Sequence, residues 1–90
     1  MLVALIARDK PGALTVRKAN REAHVAYLKA SSAVRQAGPL LDDDGEMCGS
    51  LIVLEVENMT AAEAFVAGDP YGAADLFDTV ELIIWNRVIG

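Results

Sequence analysis

The chain contains one cysteine and one histidine, Cys48 and His24. One cysteine cannot form an internal disulfide, and these two residues cannot supply the four side chains of an ordinary zinc site. A free cysteine usually behaves as a small hydrophobic residue, so we expect Cys48 to be buried or half-buried. The sequence therefore predicts neither a disulfide framework nor a metal centre.

Basic residues and long apolar runs are also scarce. Thirteen acidic residues against eight Lys and Arg give a formal net charge of −5, and no dense basic stripe is present to neutralise phosphates, so nucleic acid is not an expected partner. No apolar run reaches the ~18 residues of a membrane-spanning helix, and the N-terminus has neither the basic region nor the cleavage site of a signal peptide. We therefore expect a cytoplasmic protein without a membrane partner.

The length of the chain limits it to one core. A protein of 90 residues buries only roughly 60–65% of its unfolded surface, which is too little for two cores. We expect a single domain over residues 1–90.

Hydrophobic patterns and turn residues predict four strands and two helices. The predicted elements are a strand over 1–8, a helix over 15–37 ended by Gly38 and Pro39, a short strand to Leu41, a strand over 50–57, a helix from the capping box Thr60–Glu63 to Ala67, and a strand over 79–89. The order β-α-β-β-α-β predicts a ferredoxin-like α+β fold. Its four-stranded antiparallel sheet would carry both helices on one face.

The long predicted helix places the single histidine at the edge of an apolar face. That face is formed by Val16, Ala19, Ala23, Ala26, Tyr27, Ala30 and Val34. His24 falls at its boundary beside Arg17, where an imidazole can be hydrogen-bonded and still accessible, as a proton carrier requires. A surface histidine with a local hydrogen bond is the alternative interpretation.

Both faces of the predicted sheet are apolar. In the last strand Leu82 and Ile84 alternate with Ile83 and Trp85, and the other long strands repeat this pattern. Two short helices cover only one face, and the second would exceed the apolar area that soluble monomers usually expose. We therefore expect a homodimer in which the open sheet faces of two copies pack together.

The segment GDPYGAAD, residues 68–75, allows a structural and a chemical interpretation. Asp69 followed by Pro70 is typical of a helix N-terminus, with the carboxylate as the cap. A carboxylate has about four acceptor sites, so Asp69 could also hold an imidazole N–H. Contact with His24 would fix the tautomer and stabilise the imidazolium, so that His24 could carry a proton near neutral pH. Ser50, after Gly49, is more typical of a turn than of a nucleophile.

Several short motifs together resemble a known family. They are D-K-P-G at 9–12, R-x-x-H-x-x-Y-L at 21–28, A-G-P-L-x-D-x-x-G at 37–45, G-S-L at 49–51, D-P-Y at 69–71 and W-x-x-V at 85–88. In this order and spacing the chain resembles the YciI-like, or YCII-related, proteins over almost its whole length. The resemblance implies a ferredoxin-like domain that dimerises through its sheet as a dimeric α+β barrel.

The same resemblance implies an active site. It assigns a His–Asp pair to His24 and Asp69, and Tyr71 and Ser50 match motif positions that would line the same cleft. The few enzymes that resemble the family act on small, often chlorinated or hydroxylated, aromatic rings. The residues after D-P-Y depart from the family pattern, and Asp75 is expected to add a carboxylate that alters the polarity of the pocket.

Three functions follow as hypotheses. The first is a small-molecule enzyme of lyase, isomerase or dehydrohalogenase type without a cofactor, with His24 as general acid or base, Asp69 orienting it, and Tyr71, Ser50 or Arg17 binding a polar edge of the substrate. The second is a non-catalytic module that binds a small ligand in the same cleft. A haem or metal protein is the weakest, because the chain offers no second set of ligands.

Overall fold

A computed structural model describes all 90 residues. Its elements are β1 (Leu2–Asp9), α1 (Leu14–Ala30), β2 (Val34–Leu41), β3 (Met47–Glu55), α2 (Met59–Gly68), α3 (Pro70–Ala73) and β4 (Phe77–Trp85). The strands form one antiparallel sheet in the order β2-β3-β1-β4. The predicted ferredoxin-like order is confirmed, with the short helix α3 added before β4. None of the three helices combines the length and the apolar composition that crossing a membrane requires.

The core lies between the sheet and the helices. Side chains alternate across a strand, and Val3 and Leu5 of β1 are buried on the helix side. Their partners Leu54 and Ile52 in β3 lie on the same side, because directly opposite residues of an antiparallel pair share a face. Ala7, Ala62 and Phe65 complete this buried cluster.

The opposite side of the sheet, which we call the open face, is not covered by a helix and is mostly apolar, with Glu55 and Glu81 as polar interruptions. It carries Leu2, Ala4, Ile6, Leu51, Val53, Ile83 and Trp85, which the strand registers place together. Leu51 and Ile83 remain 42% and 44% exposed. The apolar second face expected from the strand pattern is therefore present.

Helix α1 is shorter than predicted. It ends at Ala30, and residues 34–37 belong to β2. Ser31, the C-cap, is already extended, and its hydroxyl accepts a hydrogen bond from the Ala33 N–H. The next residues pair with β3, a long-range interaction that overrides their local helical pattern. Pro39 consequently lies in an edge strand, where proline is tolerated, and does not end a helix.

The buried face of α1 also differs from the predicted one. Val16 and the alanines of the predicted face, such as Ala19 and Ala23, are exposed, whereas Arg17 and His24 are buried. Alanine offers little apolar area, so a mostly alanine stripe is a weak signal. The buried polar residues are held by partners from other elements, described below.

Smaller boundary differences have local causes. Helix α2 is capped by Asn58, whose side-chain oxygen accepts from the Ala61 N–H at 2.9 Å, and not by Thr60. Strand β3 begins at Met47, so Ser50 lies within a strand and the predicted turn there is wrong. Strand β4 ends at Trp85 rather than at residue 89.

Candidate active site

The structure brings the five predicted site residues together on the helix side of the sheet. Arg17, His24, Ser50 and Tyr71 line one cavity of about 470 Å³ between α1, β2, β3 and α3. Asp69 lies behind His24 and contacts its ring. A cavity of this size is within the range of small-molecule sites.

His24 and Asp69 form a buried pair. The imidazole Nδ1 lies 2.8 Å from Asp69 Oδ1 and 3.0 Å from Oδ2, and the residues are 6% and 3% exposed. An ionised carboxylate only accepts hydrogen bonds, so this network assigns the ring proton to Nδ1. His24 Nε2 has no hydrogen-bond partner and is not fully enclosed. It is therefore the ring atom that can exchange a proton with a molecule in the cavity.

Asp69 performs both of the roles that the sequence left open. Its Oδ1 accepts from the Tyr71 N–H at 2.9 Å, which makes it the N-cap of α3 with Pro70 in the first turn. The same carboxylate holds His24. The cap thereby fixes the position of the carboxylate relative to the imidazole.

The end of α3 fixes the position of Tyr71. The Leu76 N–H donates to the Tyr71 carbonyl at 3.2 Å and the Asp75 N–H to the Gly72 carbonyl at 3.0 Å, the two hydrogen bonds of a Schellman motif. Asp75 supplies the required left-handed residue, with φ 57°. Its side chain is 87% exposed and pairs with Lys10 at 2.6 Å. The expectation that Asp75 alters the pocket is wrong, because its side chain does not line the cavity.

Tyr71 contacts two of the other site residues through its ring. The ring stacks on that of His24 with centroids 3.9 Å apart and planes 16° apart, and the Arg17 guanidinium carbon lies 4.6 Å from its centroid. Burial raises the pKa of Tyr71 above its ordinary value, against the opposing charges of Arg17 and Arg21. The hydroxyl is therefore protonated at neutral pH, and its proton is buried without an acceptor, since the neighbouring Arg17 guanidinium can only donate.

Arg17 is held by Asp9, which the sequence analysis did not select. Arg17 Nε lies 2.6 Å from Asp9 Oδ2 and Nη2 lies 2.9 Å from Oδ1, so the pair is bidentate. Burial acts against the charge, but the hydrogen bonds and charge of Asp9 dominate and raise the pKa of Arg17 above its ordinary value. A buried arginine requires a carboxylate partner, but the sequence does not predict that Arg17 is buried, so no signal in it points to Asp9.

Ser50 connects this ion pair to the cavity wall. Its Oγ accepts from Arg17 Nη2 at 3.0 Å, so the serine proton is left available for an acceptor other than Arg17. Gly49 precedes it in β3, and a Cβ atom there would overlap the backbone carbonyl of Ala7. Glycine at this position lets β1 and β3 pair closely beside the site.

The rest of the cavity wall combines apolar residues with the cations Arg21 and Lys29 and with Ser31. Its apolar members come from α1 and β2 and are Val25, Leu28, Val34, Ala37 and Pro39. The structure brings no three His, Cys, Asp or Glu side chains into a group that could hold a metal ion. An imidazole with one nitrogen fixed by a carboxylate and the other open to the cavity can take up or release a proton there.

Comparison with known proteins identifies relatives over nearly the full chain. An uncharacterized protein of Haemophilus influenzae is 35% identical and a protein named YciI of Escherichia coli is 32% identical, and each match covers 98% of this chain and 99% of the relative. A crystal structure of 5-chloro-2-hydroxyhydroquinone dehydrochlorinase (TftG) of Burkholderia phenoliruptrix, in complex with 2,5-dihydroxybenzoquinone, superposes with a TM-score of 0.88 at 34% identity, covering 97% of this chain and 95% of that chain.

More distant structures share the fold alone. The protein Rv0793 of Mycobacterium tuberculosis superposes with a TM-score of 0.63 at 15% identity, over 100% of this chain and 98% of that chain. The model of the YCII-related domain matches residues 1–86. Together with the relatives above 30% identity, this match shows that the chain belongs to the YCII-related family.

Proposed function

We propose that the protein is an acid/base enzyme acting on a small organic molecule, with His24 as the proton carrier and Asp69 as the residue that orients it. One observation carries the proposal: Nδ1 of His24 is fixed by a buried carboxylate while Nε2 is left free at the cavity. This is the arrangement of a general base whose tautomer is set by a third group.

In this proposal Ser50 binds the substrate, Arg17 positions Ser50, and Tyr71 positions His24. The Ser50 hydroxyl can donate its proton to the substrate, because its oxygen already accepts a hydrogen bond from Arg17. The Tyr71 ring stacks on the imidazole of His24 and holds it in place. The apolar residues Val25, Leu28 and Val34 of the wall would pack against the carbon skeleton of the substrate. No cofactor takes part in the proposed step.

The reaction class that we favour is elimination of a hydrogen halide from a hydroxylated ring. The similar protein TftG is a dehydrochlorinase at 34% identity, and such chemistry needs a single proton carrier. The ring would first ketonise, which moves a hydroxyl proton to the carbon that bears chlorine and makes that carbon sp³. His24 Nε2 would then take the proton of a hydroxyl conjugated with that carbon, and the electrons of the O–H bond would form a C=O bond. The ring π bonds would shift towards the C–Cl carbon, and chloride would leave with the electrons of the C–Cl bond. The imidazolium would then return its proton to water.

The test is release of chloride from 5-chloro-2-hydroxyhydroquinone by the purified protein. His24→Gln removes the proton carrier, and we expect it to lower the rate by about 10²- to 10⁴-fold. Asp69→Asn keeps an oxygen to cap α3 and should also lower the rate, because the carboxylate no longer stabilises the imidazolium. Glu63→Gln, on the exposed side of α2, is the matched control. Unchanged chloride release by His24→Gln would refute the proposal.

A binding module without turnover is the second candidate. The size of the cavity favours it, because a cavity of this volume can hold a small ligand without catalysing a reaction. The two candidates differ in one measurement. If wild-type protein binds 2,5-dihydroxybenzoquinone but releases no chloride from the chlorinated ring, and His24→Gln still binds, the binding module is supported. If turnover depends on His24, the enzyme is supported.

We also propose that two copies pair through the open face. The exposed Leu51, Ile83 and Trp85 support this, because an identical apolar sheet is the simplest cover for such a surface. Sedimentation at dilute concentration tests it, and a protomer that stays monomeric at micromolar concentration would contradict it.

A further inference from the structure

Two cations at the cavity have no ion-pair partner. Arg21 and Lys29 both line it, and neither takes part in a salt bridge. They lie eight residues apart on α1 with Val25 between them, so all three share one side of the helix. The charge of Arg21 also acts on Tyr71 within the site.

The carboxylates near the cavity do not pair with these cations, and Glu22, which shares a surface hollow with both, forms no salt bridge with either. Asp9 is engaged by Arg17 and Asp69 by His24, and no Asp or Glu is among the residues that line the cavity. The chain as a whole carries a formal net charge of −5. With His24 neutral, the three cations Arg17, Arg21 and Lys29 exceed the two carboxylates Asp9 and Asp69 by one charge. The cavity is therefore locally positive in an acidic protein and attracts anions.

The cavity wall also offers a hydrogen that lacks an acceptor. Ser50 is buried and its oxygen accepts from Arg17, so its proton is free for a hydrogen bond, and the structure gives it no acceptor. The Tyr71 hydroxyl, buried in the same wall, also has none. Buried donors are nearly always paired, so an oxygen acceptor at this position would complete the site.

We propose that the ligand of this cavity is a small organic acid in its ionised form, with an oxygen that accepts from Ser50 and a negative charge that faces Arg21 and Lys29. The inference rests on the proposed function only in placing the ligand in this cavity. Arg21 and Lys29 are binding residues that set the preference for an anion and do not transfer protons. The apolar wall formed by Val25 and its neighbours accommodates the carbon skeleton.

The test compares two probes of nearly equal shape, benzoate and benzamide, at neutral pH, where only benzoate is charged. Binding is followed by NMR through the ring signals of His24, which need no assignment because the chain has one histidine. We expect wild-type protein to bind benzoate about 5- to 20-fold more tightly than benzamide, as two partly exposed charge contacts would give. Raising the ionic strength from about 0.05 to about 0.5 M should weaken benzoate alone.

Variants locate the effect. Arg21→Gln and Lys29→Gln should each weaken benzoate about two- to five-fold and leave benzamide unchanged. Lys18→Gln is the control, because it removes the same charge from α1 at a residue that does not line this cavity. Its effect on benzoate should be less than about two-fold.

Several results would overturn the inference. They are equal affinity for the two probes, an effect of Lys18→Gln as large as that of Arg21→Gln, and failure of millimolar benzoate to shift the His24 signals. None of them affects the acid/base proposal, which fails separately if His24→Gln retains full chloride release.

Discussion

Replacing Tyr71 by phenylalanine should leave the protein as stable as the wild type or more stable. The substitution removes a hydroxyl that is buried without a partner and keeps the ring that stacks on His24 and lies under Arg17. An unpaired buried polar group costs about 1–3 kcal/mol. Because local relaxation recovers part of that cost, we expect Tyr71→Phe to raise the free energy of unfolding by up to about 1 kcal/mol.

The second tyrosine of the chain provides a matched control. The Tyr27 hydroxyl donates to the Phe65 carbonyl at 2.7 Å, so Tyr27→Phe removes the same atom and breaks a hydrogen bond. We expect it to lower the free energy of unfolding by about 0.5–1.5 kcal/mol. The same chemical change should therefore have opposite signs at the two positions.

The assay is urea denaturation followed by far-UV circular dichroism, at one protomer concentration for all variants because association would shift the midpoint. Circular dichroism is preferred to fluorescence, since the single tryptophan, Trp85, lies on the open face and would also report association. If Tyr71→Phe unfolds more easily than the wild type by about 1 kcal/mol or more, its hydroxyl has a partner, and the argument that the site holds an unsatisfied donor is refuted.

Three other perturbations test separate parts of the structure. Above about pH 10 the wild type should lose stability, because burial raises the pKa of Tyr71 above the 10.0 of an unfolded chain. The stability that the protonated hydroxyl contributes is complete below the unfolded pKa and is lost as the pH rises through the folded pKa. Denaturation of Tyr71→Phe at alkaline pH should therefore show a smaller loss. Asp75→Gly should raise the melting temperature by an amount equivalent to about 0.5–1 kcal/mol, because glycine adopts the left-handed conformation more easily. The ion pair with Lys10 that is lost is exposed and contributes little to stability. A lower melting temperature would contradict the Schellman assignment. Ile83→Glu places a charge on the open face and should convert a dimer to monomers in sedimentation. Glu63→Gln, the control, should leave the dimer intact. A dimer that persists in Ile83→Glu would argue for a different interface.

The parts of the fold that the sequence predicted correctly depend on local patterns. The apolar run at the start of the chain identified β1 as a strand, and the Asp69–Pro70 pair identified a helix start. The end of α1 was missed because the residues after Ser31 have no strong local signal, and their strand conformation comes from pairing with β3. Long-range pairing of this kind is not encoded in the local pattern.

The site was predicted only in part, again because its contacts join residues that are far apart in the sequence. The His24–Asp69 pair came from the family resemblance, since 45 residues separate the two in sequence. The burial of His24 was missed because periodicity counts apolar residues and assigns a polar one to the boundary. Asp9 was missed because nothing local marks it as the partner of Arg17.

The distribution of buried polar residues favours a chemical role for the site over a structural one. Four polar or charged residues are buried in the whole chain, and they are Arg17, His24, Ser50 and Asp69. A small core gains little from such groups, because apolar residues of similar volume often stabilise a fold as well as a buried ion pair does. The chain nevertheless places all four around one cavity. Arg17 is hydrogen-bonded to Asp9 and Ser50, and His24 is hydrogen-bonded to Asp69. The loss of packing that this arrangement entails is explained if the cavity binds and transforms a ligand, and natural sites often lower stability in this way.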